Sequence, residues 1–435
     1  MQADSISRHD AGMLKPEDIR YLVTHCSDTP DDEGVTAADI HAMHLGFGWD
    51  GAGYHVIITR DGLCHAGRPE YWQGAHVKGR NHDSLGVCLI GRHNFTSAQF
   101  AALETLLLDW QGRYPKAEVV GHRDIQETSK TCPNFDAGQW WQNHNPLAAK
   151  TALIGVSCAP LYKTPPALNS LPPAPETEAL MGELVEIQSP EQVSGYVEVL
   201  LTTDGYKGWM AASCLCRTPD DLDHQNRQKI TAATAIVTAA PDVKSAPLAS
   251  LSMGAIVTVE DQQDSYTKVS LSRRAGGQQI GYLPSHTLKP TIKDAEAHIA
   301  DWPAFGEKFL GVPYKWGGRS AAGLDCSALL QLSLAAAGFN VPRDSTPQHA
   351  FMKPAAKTQG ARFKEYQRGD ILFWDGHVGV CVSKELLLHA NAYHASVTIE
   401  PIEQAINRIK RHFGEPTEHI DGALLLQLLG CQPVN

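Results

Sequence analysis

Apolar positions along the chain fall into three regimes. From about residue 13 to 146, apolar runs alternate with longer mixed stretches. "IRYLVTHCSDTP" reads as an apolar strand ending in His25, and "AEVVGHRD" as another ending in His122 after a glycine. From about residue 150 to 290 the pattern shortens to period-2 runs such as "ELVEIQ", "YVEVLL", "AIVTVEDQ" and "YTKVSLS", separated by Gly, Asp and Ser. That alternation predicts small antiparallel β units. From about residue 294 the mixed pattern returns. A helical stretch, "AEAHIADWPAFGEKFLGV", leads through glycines 317, 318 and 323 into a second helix that starts near Asp325 and stops at Gly338. Leu329, Leu330, Leu334 and Ala337 form its apolar face. "RGDILFWDGHVGVCV" then reads as two strands meeting at a turn, with His377 opening the second, and "LLLHANAYHASVTIEPI" places His389 on the next.

The expected architecture is therefore multidomain α+β. A mixed α/β domain spans 13–146, two small β units span 150–217 and 228–290, and an α+β domain spans 294–432. The proline-rich "TPPALNSLPPAPETE", Thr164 to Glu178, is too stiff and polar for a core element and reads as a loop or linker. "DGYKGWMAASCL" and "QQIGYLPSHTL" share a Gly-aromatic step and a short tail, a weak internal repeat.

Composition narrows the function. With 43% hydrophobic and 20% charged residues the chain is an ordinary globular one. A net charge of -11 without any Lys/Arg run argues against a nucleic-acid partner. No apolar run approaches the roughly 20 residues that span a bilayer, so no membrane partner is expected. "MQADSISRHDAG" has neither a basic start nor an apolar core. A reducing cytoplasm with free thiols is the expected setting for the ten scattered cysteines, with export by another route as the alternative.

Two sets of residues carry chemistry. Two histidines at strand ends plus Cys132 in the loop "SKTCPNF" make a donor set that suits zinc, with a fourth position left for water. In a chain with 20 histidines, a single one at a strand end is more often a core or surface residue, so the set has weight only jointly. The second set centres on Cys326 in "LDCSALLQ". Its place in the first helical turn favours a thiolate. A nucleophile needs a base, which His377 supplies, and His389 can orient that base. Metal binding by the three, or an unrelated buried Cys and His, are the competing readings.

The ordered motifs "GYHVIITRDGLCHAGRP", "GAHVKGRNHDSLGVCLIG" and "GHRD…SKTCPNF" resemble the zinc amidases of the phage-lysozyme and peptidoglycan-recognition type over about Tyr21 to Trp141. The resemblance implies zinc held by His25, His122 and Cys132, catalytic roles for Tyr54 and Lys130, and hydrolysis of the bond between N-acetylmuramic acid and L-alanine. His41, His44, His55, His65, His76, His82 and His93 are left structural or substrate-facing, with His55 on the face opposite Tyr54. The middle units resemble a pair of bacterial SH3-like modules. "PYKWGG…GLDCSALLQ", "RGDILFW…HVGVCV" and "LLHANAYHASVTI" resemble the NlpC-type cysteine peptidases, a papain-like fold. That implies Cys326 as nucleophile, His377 as base, His389 as third member, and Tyr314, Asp325 and Ser327 at the substrate site. The combination is similar to γ-D-glutamyl-diamino-acid endopeptidases. In those the first SH3-like module closes one end of the cleft around a free amine, with Asp325 and Glu176 or Glu178 as acidic candidates here.

The expectation is a bifunctional hydrolase acting on peptidoglycan fragments in cell-wall recycling. A lytic or toxin-like exported hydrolase and a non-catalytic wall-fragment binding protein are the rivals.

Overall fold

The computed structural model describes residues 12–430 except 32–33, 127–128, 168–169, 220–221, 223–224, 264, 273–277, 289–300 and 358–364. The first part of the helical stretch expected before residue 301 lies outside the described residues; Pro303–Glu307 is helical.

The N-terminal unit is a five-stranded sheet in the order Cys64–Ala66, Val56–Ile58, Ser84–Leu89, Tyr21–Cys26, Glu118–Gly121. The last four strands are parallel neighbours, and only the Cys64–Ala66 edge strand runs antiparallel. Parallel strands covered on both faces have near-continuous apolar runs, and Ser84–Leu89 is buried at every position. Helix Ser97–Arg113, started by a Thr96–Gln99 capping box, lays Leu103, Leu107 and Trp110 on one face. Ile40 of helix Ala37–Gly46 packs with Cys88 and Ile90 on the other. His25 lies at the carboxyl end of its strand. The Glu118 strand stops at Gly121, one residue earlier than expected, and His122 opens the one-turn helix His122–Ile125. Both histidines thus sit at the carboxyl edge of a parallel sheet, where open α/β sheets bind ligands.

The two middle units are antiparallel sheets, one of five strands between Thr151 and Arg217 and one of six between Arg227 and Pro284. The weak repeat maps onto the same local structure twice: Lys207–Ala211 runs into a 3-10 turn at Ala212–Cys214, and Gln278–Pro284 into another at Ser285–Thr287. The proline-rich segment is not an interdomain linker. It connects the paired strands Cys158–Leu161 and Thr177–Leu180 of the first unit, and its end, Thr177 and Glu178, is buried strand.

The C-terminal unit is an antiparallel sheet in the order Ser396–Pro401, Leu386–Asn391, His377–Cys381, Ile371–Trp374, Glu418–Ile420. Helix Cys326–Ala336, every residue of it buried, packs on it. Its core continues without a break into the second β unit: Val237, Leu251, Phe309 and Leu330 belong to one buried cluster. The N-terminal core, from Leu14 to Trp141, is separate.

The first β unit is bound to the C-terminal unit by charge. Arg319 and Glu183, 2% and 1% exposed, form a two-pronged pair at 2.7 and 2.9 Å, and Gln331 takes the Arg319 Nε–H at 2.7 Å. Removing one partner leaves a buried charge uncompensated, at a cost of about 3–5 kcal/mol. Glu183→Ala is expected to lower the unfolding free energy of this half by that amount in a urea titration, with the N-terminal unit's transition unchanged.

Candidate active sites

At the carboxyl edge of the N-terminal sheet, one ligand atom each from His25, His122 and Cys132 lie within 4.8 Å of one another. The second nitrogen of each histidine is already used. His25 Nε2 meets His76 Nδ1 at 3.0 Å, and His122 Nε2 meets Gln126 Oε1 at 2.6 Å, so Nδ1 is the free donor on both rings. Such outer partners fix ring orientation around a metal. Burial, helped by neighbouring histidines, holds His25 well below its usual value, and burial lowers His122 as well. Both rings are therefore in the neutral form that binds metals. The Cys26 N–H points at the Cys132 sulfur at 3.3 Å. Two imidazole nitrogens and one sulfur, each backed by a second group, fit zinc.

This set opens into a cavity of about 510 Å³ that also holds Tyr54, Lys130, His44 and Trp49. Tyr54 lies just ahead of strand Val56–Ile58 with its ring 5.1 Å from that of His25, and burial pushes its phenol well up. A neutral phenol donates a hydrogen bond. Lys130 is exposed at the rim. His55 does not line the cavity. Its Nδ1 accepts from Gly86 N–H and its Nε2 bonds Trp72 O, so it is structural. His76 supports His25 from beneath.

In the C-terminal unit Cys326 opens its helix, and Asp325 is the N-cap, its carboxylate accepting from Ala328 N–H. The N–H of Val378, next to His377, is directed at the Cys326 sulfur, so helix and strand meet at the nucleophile. His377 Nε2 bonds His389 Nδ1 at 2.9 Å. Nδ1 of His377 is the ring nitrogen that this hydrogen bond leaves unused. Burial pushes the Cys326 thiol up to about 12 and the His377 imidazole down to about 3. Burial thus opposes the thiolate that the helix start favours and favours a neutral imidazole.

The three substrate-site expectations separate. Tyr314 is half-buried beside Cys326, and burial raises its phenol to about 12. Asp325 and Ser327 are drawn into a buried network instead. Asp325 Oδ1 accepts from Arg343 Nη1 at 2.9 Å and Ser327 Oγ at 3.1 Å, and Oδ2 from Arg343 Nη2 at 2.8 Å and Gly317 N–H at 3.0 Å. A carboxylate so occupied has no lone pair to spare for an amine. Glu178 is likewise engaged, by Lys315 and the Arg319 N–H.

Glu176 differs. It lines a cavity of about 430 Å³ with Asp204, Tyr206, Arg343 and Asp344. Its segment abuts the loop leading to the nucleophile: Gly317 has φ +69, and a Cβ there would lie 2.1 Å from Pro175 O and 3.2 Å from Glu176 C. Burial raises the Asp344 carboxyl, and Asp325, Glu176 and Asp204 push the same way. Asp204, Asp344, Glu400 and Arg408 are the site-forming residues that sequence reasoning missed. His389 Nε2 meets Glu400 Oε1 at 2.7 Å, and Arg408 bonds the same oxygen.

A family model described as N-acetylmuramoyl-L-alanine amidase matches residues 15–135, and one described as NlpC/P60 family matches residues 311–412. The endolysin of Escherichia phage T7 is 39% identical over 136 residues, 29% of this chain and 89% of that protein. The gamma-D-glutamyl-L-lysine dipeptidyl-peptidase of Bacillus subtilis (strain 168) is 28% identical over 247 residues, 53% of this chain and 77% of that protein. The crystal structure of an NlpC/P60 family protein from Bacillus cereus matches with a TM-score of 0.50 and 23% identity, covering 62% of this chain and 99% of that one, a likeness of fold.

Proposed function

We propose that this peptidoglycan hydrolase, which belongs to the N-acetylmuramoyl-L-alanine amidase family through residues 15–135 and carries an NlpC/P60 domain over residues 311–412, cuts its substrate twice and in a fixed order. The first cut frees the stem peptide from N-acetylmuramic acid. The second divides γ-D-glutamate from the diamino acid. The observation that carries this reading is the pair of separate constellations, His25/His122/Cys132 and Cys326/His377/His389, on cores that do not merge.

In the first site His25 Nδ1, His122 Nδ1 and Cys132 Sγ would hold zinc. Bound there, it supplies a Lewis acid and lowers the pKa of water towards about 7. The Tyr54 hydroxyl and the Lys130 ammonium are the chain's own donors for the charge that develops on the scissile carbonyl oxygen. In the second site the Cys326 thiol gives its proton to His377 Nδ1 as sulfur attacks the γ-carbonyl carbon. The imidazolium returns that proton to the departing amine, leaving a thioester. Water, deprotonated by His377, then releases the acyl half as a carboxylate. His389 holds the His377 ring through its hydrogen bond.

Order comes from the cavity around Glu176. The amidase cut leaves L-alanine with a free ammonium. Glu176, Asp204 and Asp344 place three carboxylates where that ammonium would lie; of the cations lining the same cavity, Arg343 is paired with Asp325 and Lys207 with Glu198 at 3.0 Å, and Lys163 is the third. We read the middle units as SH3-like modules, the first of which closes this end of the cleft against a sugar. A charge-assisted hydrogen bond here is worth about 1.5–3 kcal/mol. Glu176→Gln is expected to lower kcat/KM on free L-Ala-γ-D-Glu-diamino-acid peptide by about ten- to a hundred-fold, leaving the amidase rate unchanged. An unchanged value would remove Glu176 from substrate recognition. Ordered cutting fits turnover of soluble muropeptides inside the cell better than lysis of intact wall. Mass spectrometry of products from a defined muramyl-tripeptide tests the whole reading: the expected products are the sugar, the dipeptide and the free diamino acid. Cleavage at one bond alone would reduce it to a single activity.

A further inference from the structure

We propose that Glu400 is a positioning residue of the peptidase: it fixes the proton on His389 Nε2 and so makes Nδ1 of His377 the base. The inference rests on the reading of Cys326 as nucleophile and His377 as base, and deepens it.

An ionised carboxylate only accepts hydrogen bonds. Burial works against ionisation of Glu400, but its His389 hydrogen bond and the charge on Arg408 keep its carboxyl below the ordinary value. The 2.7 Å contact from Glu400 Oε1 therefore places the hydrogen on His389 Nε2. Burial keeps His389 neutral, so its Nδ1 carries a lone pair. The 2.9 Å contact to His377 Nε2 must then be donated by His377. A neutral His377 with its hydrogen on Nε2 has a bare Nδ1, the state needed to take the thiol proton. Reversing the His389 tautomer would reverse His377 too and put the hydrogen on Nδ1, which could then no longer take the thiol proton. The register explains the contact: His389 pairs with Thr398 and Leu387 with Glu400, which puts His389 and Glu400 diagonally on one face of adjacent strands.

His389, His394 and Glu400 also offer donor atoms within 4.8 Å of one another. The positive charge there is already supplied by Arg408, which bonds the shared Glu400 oxygen and stacks over Tyr393 at 4.4 Å, while His394 Nδ1 turns to Asn391 Oδ1 at 3.1 Å. Arg408 gives the test its sharp form. With Glu400 gone, the guanidinium that shared its oxygen, which only donates, can meet His389 Nε2 and select the wrong tautomer, while His394 Nδ1 stays turned to Asn391.

The experiment compares full-length wild type, Glu400→Ala and Glu400→Ala/Arg408→Ala on free L-Ala-γ-D-Glu-diamino-acid peptide, with the urea unfolding transition of the C-terminal half as control for an intact fold, since the amidase core is separate. A wrong tautomer in a triad lowers kcat by about 10⁴; one step further from the nucleophile we expect about a hundredfold in kcat for Glu400→Ala, with KM within about twofold. The double variant is expected to regain at least about fivefold, because the misdirecting donor is gone. A purely structural role predicts the double to be no better than the single, and that result, or a single variant within twofold of wild type, overturns the proposal. If Glu400→Ala does not fold, ¹⁵N–¹H correlation spectra of ¹⁵N-histidine wild type decide: hydrogen on Nε2 of both His377 and His389 supports it, and Nδ1–H on His377 overturns it. A wild type that leaves the peptide intact would instead fail the peptidase reading itself.

Discussion

Cys132→Ala protein is expected to lose amidase activity by at least about a thousandfold, together with its zinc, while cutting free stem peptide at the wild-type rate. Cys132 Sγ is one of three donors within 4.8 Å, and its contact with the adjacent Cys26 thiol, together with burial, pushes the Cys132 thiol far up. A cation is the natural replacement for that proton. A Lewis acid at the carbonyl is worth several kcal/mol, and about 4 kcal/mol is a thousandfold. Peptidase activity survives because the N-terminal core shares no residue with the cluster that carries Cys326. Metal analysis beside the two assays checks the claim; full zinc occupancy in Cys132→Ala would remove this residue from the ligand set.

The converse substitution has the larger effect on the other activity. Cys326→Ala removes the nucleophile, and by comparison with hydrolase triads the peptidase rate should fall by about four to six orders of magnitude. His377→Ala should fall nearly as far and should also slow alkylation of Cys326 by iodoacetamide. The thiol is held near 12 by burial, so at neutral pH its reactivity depends on handing its proton to His377 rather than on a standing thiolate. Alkylation of Cys326 at an equal rate in wild type and His377→Ala, followed by peptide mapping, would show that His377 is not the base.

What was legible in the sequence follows from distance along the chain. His25, His122 and Cys132 each close an apolar strand or follow one within a short loop, and Cys326, His377 and His389 sit at a helix start and on strands whose alternation is plain. Local pattern therefore brought both constellations into view. The partners that complete them come from elsewhere in the fold. Asp325 stands before a helix, which is as much an N-cap signal as a substrate signal. Only Arg343, 18 residues on, shows that the Asp325 carboxylate is held in a buried network. Glu178 and Glu176 are two residues apart in one proline-rich segment. One is buried strand paired to Lys315 and the other opens into a cavity, a difference set by how the first β unit docks on the C-terminal one. Glu400 reads as an ordinary strand acid until its register against His389 is known. The second β unit has clean period-2 strands of its own, and nothing local shows that Val237 and Leu251 share a core with Phe309 and Leu330.

The central claim is ordered hydrolysis, the amidase cut preceding the peptidase cut because the Glu176 cavity takes a free ammonium and excludes a sugar. Cys132→Ala protein isolates the second step. The deciding measurement is its kcat/KM on L-Ala-γ-D-Glu-diamino-acid peptide against the same peptide still joined to N-acetylmuramic acid. The account predicts a preference for the free peptide of about ten- to a hundred-fold or more, the worth of one charge-assisted hydrogen bond with steric exclusion added. Equal values for the two substrates would contradict it, showing that no amine is read and that the two sites act independently on the wall polymer.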